Sequence, residues 1–212
     1  MTRGDWRVYV ITDSHQARGR SHREIAEAVI RGGATAVQLR MKEEPARVML
    51  AAAREIAPLC RAAGVVFIVN DRADLALIAQ ADGVHVGQDD LPVRDVRALM
   101  GPRALIGVSA ATVEEGQAAE REGADYLGVG AVYATATKPD AGAPVGLARL
   151  REIRRAVRLP LVGIGGITPD NAAAVIQAGA SGVAVITAVT MAKDVTAATR
   201  RLREEVDAAL SR

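Results

Sequence analysis

The chain has 212 residues, half of them hydrophobic, and 27 Lys plus Arg against 25 Asp plus Glu, for a net charge of +2. That length carries one domain with a sizeable core, and the near-neutral balance, the lack of a long basic run and an aromatic content of 2% argue against nucleic-acid and membrane-surface partners. No apolar run reaches the length of a membrane span, Met1-Thr-Arg-Gly-Asp5 lacks a signal-peptide core, and the single cysteine, Cys60, has no internal disulfide partner, so the expectation is a cytoplasmic protein acting on small molecules, with self-association into a homo-oligomer left open.

Short β-rich runs alternate with helical runs eight times. The spacing predicts strands over Arg7–Thr12, Ala36–Lys42, Val65–Asn70, Gly83–Val86, Ala104–Val108, Tyr126–Gly130, Leu161–Ile164 and Gly182–Ile186. Helical spacing between them shows in Ile25, Ala28, Val29 and Gly32, and again in Leu150, Ile153 and Val157; a last helix is predicted over Val195–Leu210. No linker or composition shift divides the chain, so residues 1–212 read as one domain. Strand-helix alternation calls for a parallel sheet, and eight units favour closure into a single-domain (β/α)8 TIM barrel, near the short end of the roughly 200 to 400 residues such barrels take. Gly33-Ala34-Thr35, Ala81-Asp82-Gly83, Gly123-Ala124-Asp125 and Gly179-Ala180-Ser181 form a weak repeat before every second strand, as expected of two-unit modules.

The second predicted strand is the most informative. In Val37-Gln-Leu-Arg-Met-Lys42, period-two alternation puts Gln38, Arg40 and Lys42 on one face and Val37, Leu39 and Met41 on the other. Two cations on an otherwise buried strand need an anion; the alternative is a solvated edge strand. Polar or Gly-rich sequence ends other predicted strands too, at Asn70-Asp71, Gln88-Asp-Asp90, Ser109, Thr135-Ala136-Thr137-Lys138, Gly163-Ile-Gly-Gly166 and Ile186-Thr187, which is where a barrel keeps its active site. Asp71 and Asp90 are the carboxylates placed for a hard cation such as Mg2+, although each also reads as a helix N-cap, as do Ser109 and Thr187. His85 reads as a packed residue, His15 and His22 as surface residues. Gly163-Ile-Gly-Gly166 before Pro169 reads as a backbone nest for a phosphate. Two anion stations follow: a cationic one (Arg40, Lys42, Lys138 and a metal) suited to pyrophosphate, and a neutral one (Gly166, Ile186, Thr187) suited to a monophosphate.

Taken in order, Gln-Leu-Arg-x-Lys, Asn-Asp-Arg, Asp-Gly-Val-His-Val-Gly-Gln-Asp-Asp, Gly-Val-Ser, Thr-x-Thr-Lys and Val-Gly-Ile-Gly-Gly-Ile-Thr-Pro-Asp-Asn resemble the thiamine-phosphate synthase family, from about Tyr9 to Ala188. The resemblance implies a barrel that joins a hydroxymethylpyrimidine diphosphate to a thiazole phosphate with Mg2+, releasing pyrophosphate. It implies that Gln38, Arg40, Lys42, Asn70, Ser109 and Lys138 hold the pyrimidine diphosphate and that Asp71 and Asp90 hold the metal. Thr135, Thr137, Gly166, Ile186 and Thr187 would hold the thiazole phosphate; Leu39, Met41 and Ala136 are grouped with the substrate-binding residues, and Arg40, Lys42, Lys138 and Ser109 with the catalytic ones. Loss of pyrophosphate would leave a pyrimidinylmethyl cation for the thiazole nitrogen to attack, with no side-chain nucleophile required. Met41, Ala111, Ala131, Ala134 and Thr187 depart from the family's usual residues. The alternatives are a thiazole tautomerase-like barrel, which would need a proton-transfer residue, and a non-catalytic phosphate-ligand sensor.

Overall fold

Alternation along each strand creates two apolar sets, one for the inside of a closed sheet and one for the helices around it. The computed structural model of the protein, which describes residues 4–135 and 143–211, shows both. Eight parallel strands pair in chain order and close on themselves: β1 Val8–Asp13, β2 Ala36–Arg40, β3 Val66–Asn70, β4 Gly83–Val86, β5 Leu105–Ala110, β6 Tyr126–Val129, β7 Leu161–Ile164 and β8 Gly182–Val185. The helices are α1 His22–Arg31, α2 Ala46–Ala63, α3 Ala73–Ala79, α4 Val93–Met100, α5 Val113–Glu122, α6 Gly146–Ala156, α7 Pro169–Gln177, α8 Thr187–Thr190 and α9 Val195–Leu210. The expected TIM barrel is therefore present, with α8 as an extra short helix after β8.

Local chemistry starts and stops the helices where the sheet needs them. Ser21 with Glu24 and Thr112 with Glu115 form reciprocal capping boxes at the starts of α1 and α5. The weak repeat has a physical basis at the bottom of the barrel. Thr35, Asp82 and Asp125, each just before an even strand, accept the backbone N–H of Val8, Phe67 and Ile106 at the start of the preceding odd strand, at 3.0, 2.8 and 2.9 Å. These side chains pair strands two by two and satisfy donors that the ladder leaves open.

Val37, Leu39, Phe67, Leu127 and Leu150 fill the layer between sheet and helices. Tyr9, Ile11, Ile68, Tyr126, Val162 and Ala184 fill the barrel itself, with Trp6 beneath them. The Trp6 ring stacks on Tyr126 with centroids 3.9 Å apart. So most of the few aromatic side chains sit inside the barrel, where their area closes its lower end and leaves the upper end open.

Candidate active site

The open end is a cavity of about 660 Å3 to which all eight strands contribute lining residues. Of the predicted site residues, it collects Gln38, Arg40, Lys42, Asn70, Asp71, Asp90, Ser109, Thr135, Gly166, Ile186 and Thr187. Ala136, Thr137 and Lys138 lie outside the described residues. Leu39 and Met41 face the other way, and their grouping with the substrate-binding residues is corrected for their side chains. Leu39 is buried in the layer under the helices and Met41 packs against that layer, as period two requires when Gln38 and Arg40 face inward.

The cations are held by carboxylates. Arg40, at the end of β2, pairs with Asp13 at the end of β1, its register partner. Asp13 is nearly buried, with 5% of its side chain exposed against 19% for Arg40, and its other oxygen accepts the His15 N–H at 3.0 Å. Lys42 reaches across to Asp71, 2.6 Å from Nζ to Oδ2. Asp71 sits in the left-handed region at φ 60°, a conformation that Asp tolerates better than most residues, pinned by its N–H to the His85 carbonyl at 2.8 Å. The helix-capping readings of Asp71 and Asp90 fail. α3 begins at an N-cap of Arg72 and α4 at one of Pro92, neither with a side-chain cap, while Asp90 accepts the Gly87 N–H at 2.7 Å. Ser109 lies inside β5, and the N-cap of α8 is Ile186 rather than Thr187.

Burial pushes the Asp71 carboxyl above the usual carboxylate range, Lys42 works against this, and the charge of Asp90 adds to it. Two mutually repelling, partly desolvated carboxylates are a fitting seat for a divalent cation. Among the described residues no group of three or more His, Cys, Asp or Glu forms a fuller cage. Two carboxylates with room for water and substrate oxygens suit Mg2+. The charge balance agrees, because the described lining carries Arg40 and Lys42 against Asp71, Asp89, Asp90 and Glu115. An incoming polyanion would meet net negative charge unless a cation came with it.

Across the cavity the walls are backbone. Gly165 and Gly166 follow β7 at φ 98° and 63°. A Cβ at Gly166 would sit 2.6 Å from the Ala134 carbonyl oxygen and 2.8 Å from Tyr133 Cβ, so only glycine lets this turn pass so close to the loop after β6. Asn171, inside the capping box that starts α7, returns its Nδ2 to the Gly166 carbonyl at 3.0 Å and fixes the turn. Ile186, at φ −116° and ψ −89°, opens α8 beside it, and Thr187 and Ala188 line the cavity.

The barrel interior adds residues that the sequence reading passed over. Gln38 Nε2 donates to the Tyr9 hydroxyl at 2.7 Å, the Tyr9 and Tyr126 hydroxyls are 3.0 Å apart, Tyr126 lies 3.1 Å from His85 Nδ1, and His85 Nε2 lies 3.0 Å from Ser109 Oγ. His85 is thus part of the cavity wall rather than packing alone. Burial holds both phenols well above the ordinary tyrosine range, so both are neutral. Asn70 Nδ2 is buried without a protein partner and belongs to a residue of the same wall, a donor available to a bound acceptor. His22 is a second correction: it is buried behind the site, Nδ1 2.8 Å from Thr12 Oγ1, because it opens α1 and folds under the β1 end instead of facing solvent.

Comparison with known proteins is consistent with this geometry. The family model described as thiamine monophosphate synthase matches residues 8–189. A protein of Moorella thermoacetica named thiamine-phosphate synthase is 56% identical over 201 residues, covering 95% of this chain and 96% of that one. One of Chloroflexus aurantiacus with the same name is 58% identical over 199 residues, covering 94% and 92%. The solved structure of thiamine phosphate pyrophosphorylase from Pyrococcus furiosus superposes with a TM-score of 0.90 at 40% identity, covering 98% of each chain.

Proposed function

The chain belongs to the thiamine monophosphate synthase family, and from that premise we propose that it condenses an aminopyrimidine methyl diphosphate with a thiazole phosphate to give thiamine phosphate and pyrophosphate. The observation that carries the reading is that one cavity has Arg40, Lys42, Asp71 and Asp90 on one wall and the turn at Gly166 with Ile186 and Thr187 on another, which supports two different anion stations. One has cations held by carboxylates and a carboxylate pair; the other has close backbone and no charged side chain among the described residues. A single-phosphate enzyme has no use for both.

Arg40 and Lys42 take the diphosphate, together with Lys138. Asp71 and Asp90 hold Mg2+, which when bound supplies positive charge to the phosphate oxygens as they gain negative charge. Asn70 Nδ2 and Ser109 lie on the same wall and offer hydrogen bonds to this substrate. The turn at Gly166 and the start of α8 at Ile186 and Thr187 take the thiazole phosphate through N–H groups, with Thr135 and Thr137. The C–O bond to the diphosphate breaks, and its electron pair leaves with pyrophosphate. The methylene cation is stabilised by the amino-substituted ring, and the thiazole nitrogen lone pair forms the new C–N bond. The chain needs to supply no nucleophile. Its side chains hold the two substrates in line and neutralise the leaving group.

The test is incubation of both substrates with the purified protein and Mg2+. Thiamine phosphate and pyrophosphate should appear in equal amounts, and thorough chelation should stop the reaction. Isomerisation of the thiazole alone would favour the tautomerase reading; tight binding without turnover would favour the sensor.

A further inference from the structure

The chain of five side chains from Gln38 to Ser109 crosses the barrel interior on five different strands, β2, β1, β6, β4 and β5. No member carries a permanent charge. Tyr9 and Tyr126 are 2% and 0% exposed, so water does not compete for their hydroxyls. The neighbouring strands make room for the chain. A Cβ at Gly107 would lie 2.1 Å from Tyr126 Cζ and 2.4 Å from its hydroxyl oxygen, and one at Gly128 would lie 3.0 Å from His85 Cε1. Trp6 stacks on the Tyr126 ring from below and denies it a second position.

A phenol has one proton to give. Tyr9 accepts from Gln38 Nε2, so its own proton goes to Tyr126. Tyr126 then gives its proton to His85 Nδ1, which makes His85 the Nε2–H tautomer and Ser109 Oγ the acceptor of that proton. Ser109 keeps its own proton for something in the cavity, and Gln38 keeps its Oε1. The reverse polarity is also complete: Ser109 donates to Nε2, Nδ1–H donates to Tyr126, and the series ends at Gln38 Oε1. Any mixture either sets two acceptors face to face or leaves a buried hydroxyl proton without an acceptor, which is unfavourable.

We infer that Tyr9 and Tyr126 are positioning residues that lock the Gln38 amide, the His85 tautomer and the Ser109 hydroxyl into one shared polarity. The site then reads a ligand as a matched pair. With an acceptor offered at Gln38 and a donor at Ser109, it accepts a ring edge that donates at the first and accepts at the second. An amino-substituted nitrogen heterocycle has such an edge, and one that offers donors at both points is discriminated against. The choice of ligand rests on the function proposed above; the coupling does not.

The experiment measures the 15N shifts of the His85 ring in the ligand-free protein at alkaline pH, with the His85 signals assigned by their absence from His85→Gln. The native chain should show one dominant tautomer, protonated on Nε2. Gln38→Glu, held above the titration point of the new carboxyl as read from its 13C shift, presents only an acceptor to Tyr9 and should turn His85 to the Nδ1–H tautomer. Adding Tyr9→Phe to Gln38→Glu should cancel that switch, although Tyr9 contributes no hydrogen bond to His85. Should Gln38→Glu not fold, Tyr9→Phe alone serves, because it keeps the ring and frees Tyr126 to point either way; His85 should then divide between both tautomers, and KM for the pyrimidine substrate should rise about tenfold with kcat nearly kept. A tautomer that ignores both substitutions overturns the coupling, whatever the catalytic assay shows; a chain that switches but makes no thiamine phosphate leaves the coupling standing and removes the proposed reaction.

Discussion

Replacing Asp13 by Asn removes one charge at the β1 end and little else. The amide keeps an oxygen for the His15 N–H and fits the same volume, so the change isolates the Asp13–Arg40 pair. Asp13 is 5% exposed at the side chain and Arg40 19%, so solvent recovers little of the Arg40 charge when its partner is removed. Breaking a buried pair from one side costs about 3–5 kcal/mol, and the partial exposure of Arg40 puts this case near 3. For a chain of this size that corresponds to a fall in Tm of roughly 6–12 °C, at about 2–4 °C per kcal/mol. The assay is thermal unfolding followed by circular dichroism, with and without Mg2+ and pyrophosphate. Without ligand the variant should show the full deficit. With saturating Mg2+ and pyrophosphate the deficit should shrink, because the bound anion gives Arg40 a new partner and ligand binding stabilises the native state by mass action. A ligand-free Tm within about 2 °C of the native chain would refute the reasoning, since no buried pair would then have been broken.

Asp71→Asn should act in the opposite direction on stability. Burial and Asp90 raise the Asp71 pKa above its unfolded value, so the favourable contribution of this group is present at acid pH and is lost as pH rises through the raised value. In metal-free buffer the Tm of the variant relative to the native chain should therefore climb between about pH 4 and pH 7, while Mg2+-dependent turnover drops by at least ~100-fold; a relative Tm that falls over the same range would contradict the sign. Arg40→Ala should weaken the diphosphate substrate and slow the chemical step, whereas Gly166→Val, whose side chain would run into Ala134 and Tyr133, should raise KM for the thiazole phosphate; equal damage to both substrates in both variants would dissolve the two-station map. Replacing the methyl group of the pyrimidine by trifluoromethyl should slow turnover by several orders of magnitude at nearly unchanged affinity, each ~1.4 kcal/mol of lost cation stabilisation costing about tenfold, and a loss of only a few-fold would require a direct displacement.

The barrel was legible because strand-helix alternation is a local signal. β4, β7 and the last helix fall where the residue pattern puts them, and the other strands differ by one or two residues at their ends. The inward face of β2 was legible for the same reason, as was the gathering of Asp71, Asp90, Ser109 and Gly166 at one end of the barrel. Asp13 was missed because β1 was ended at Thr12; the strand runs one residue further, and register then sets Asp13 beside Arg40. An acid one residue past an apolar run, opposite a cation on the next strand, was the available signal. Tyr9 and Tyr126 stand in the sequence only as strand residues, because nothing in a single chain says that two tyrosines 117 positions apart share a hydrogen bond. His22 read as exposed because a helix's first residue usually is, whereas here the helix begins against the end of β1.

The most direct measurement of the two-station account is a crystal structure of the protein with Mg2+, pyrophosphate and thiamine phosphate. It should show pyrophosphate between Arg40 and Lys42 with the metal on Asp71 and Asp90, and the phosphate of thiamine phosphate against the backbone of Gly166 and Thr187. Both phosphate groups on the same side of the cavity, or a metal bound away from Asp71 and Asp90, would contradict it.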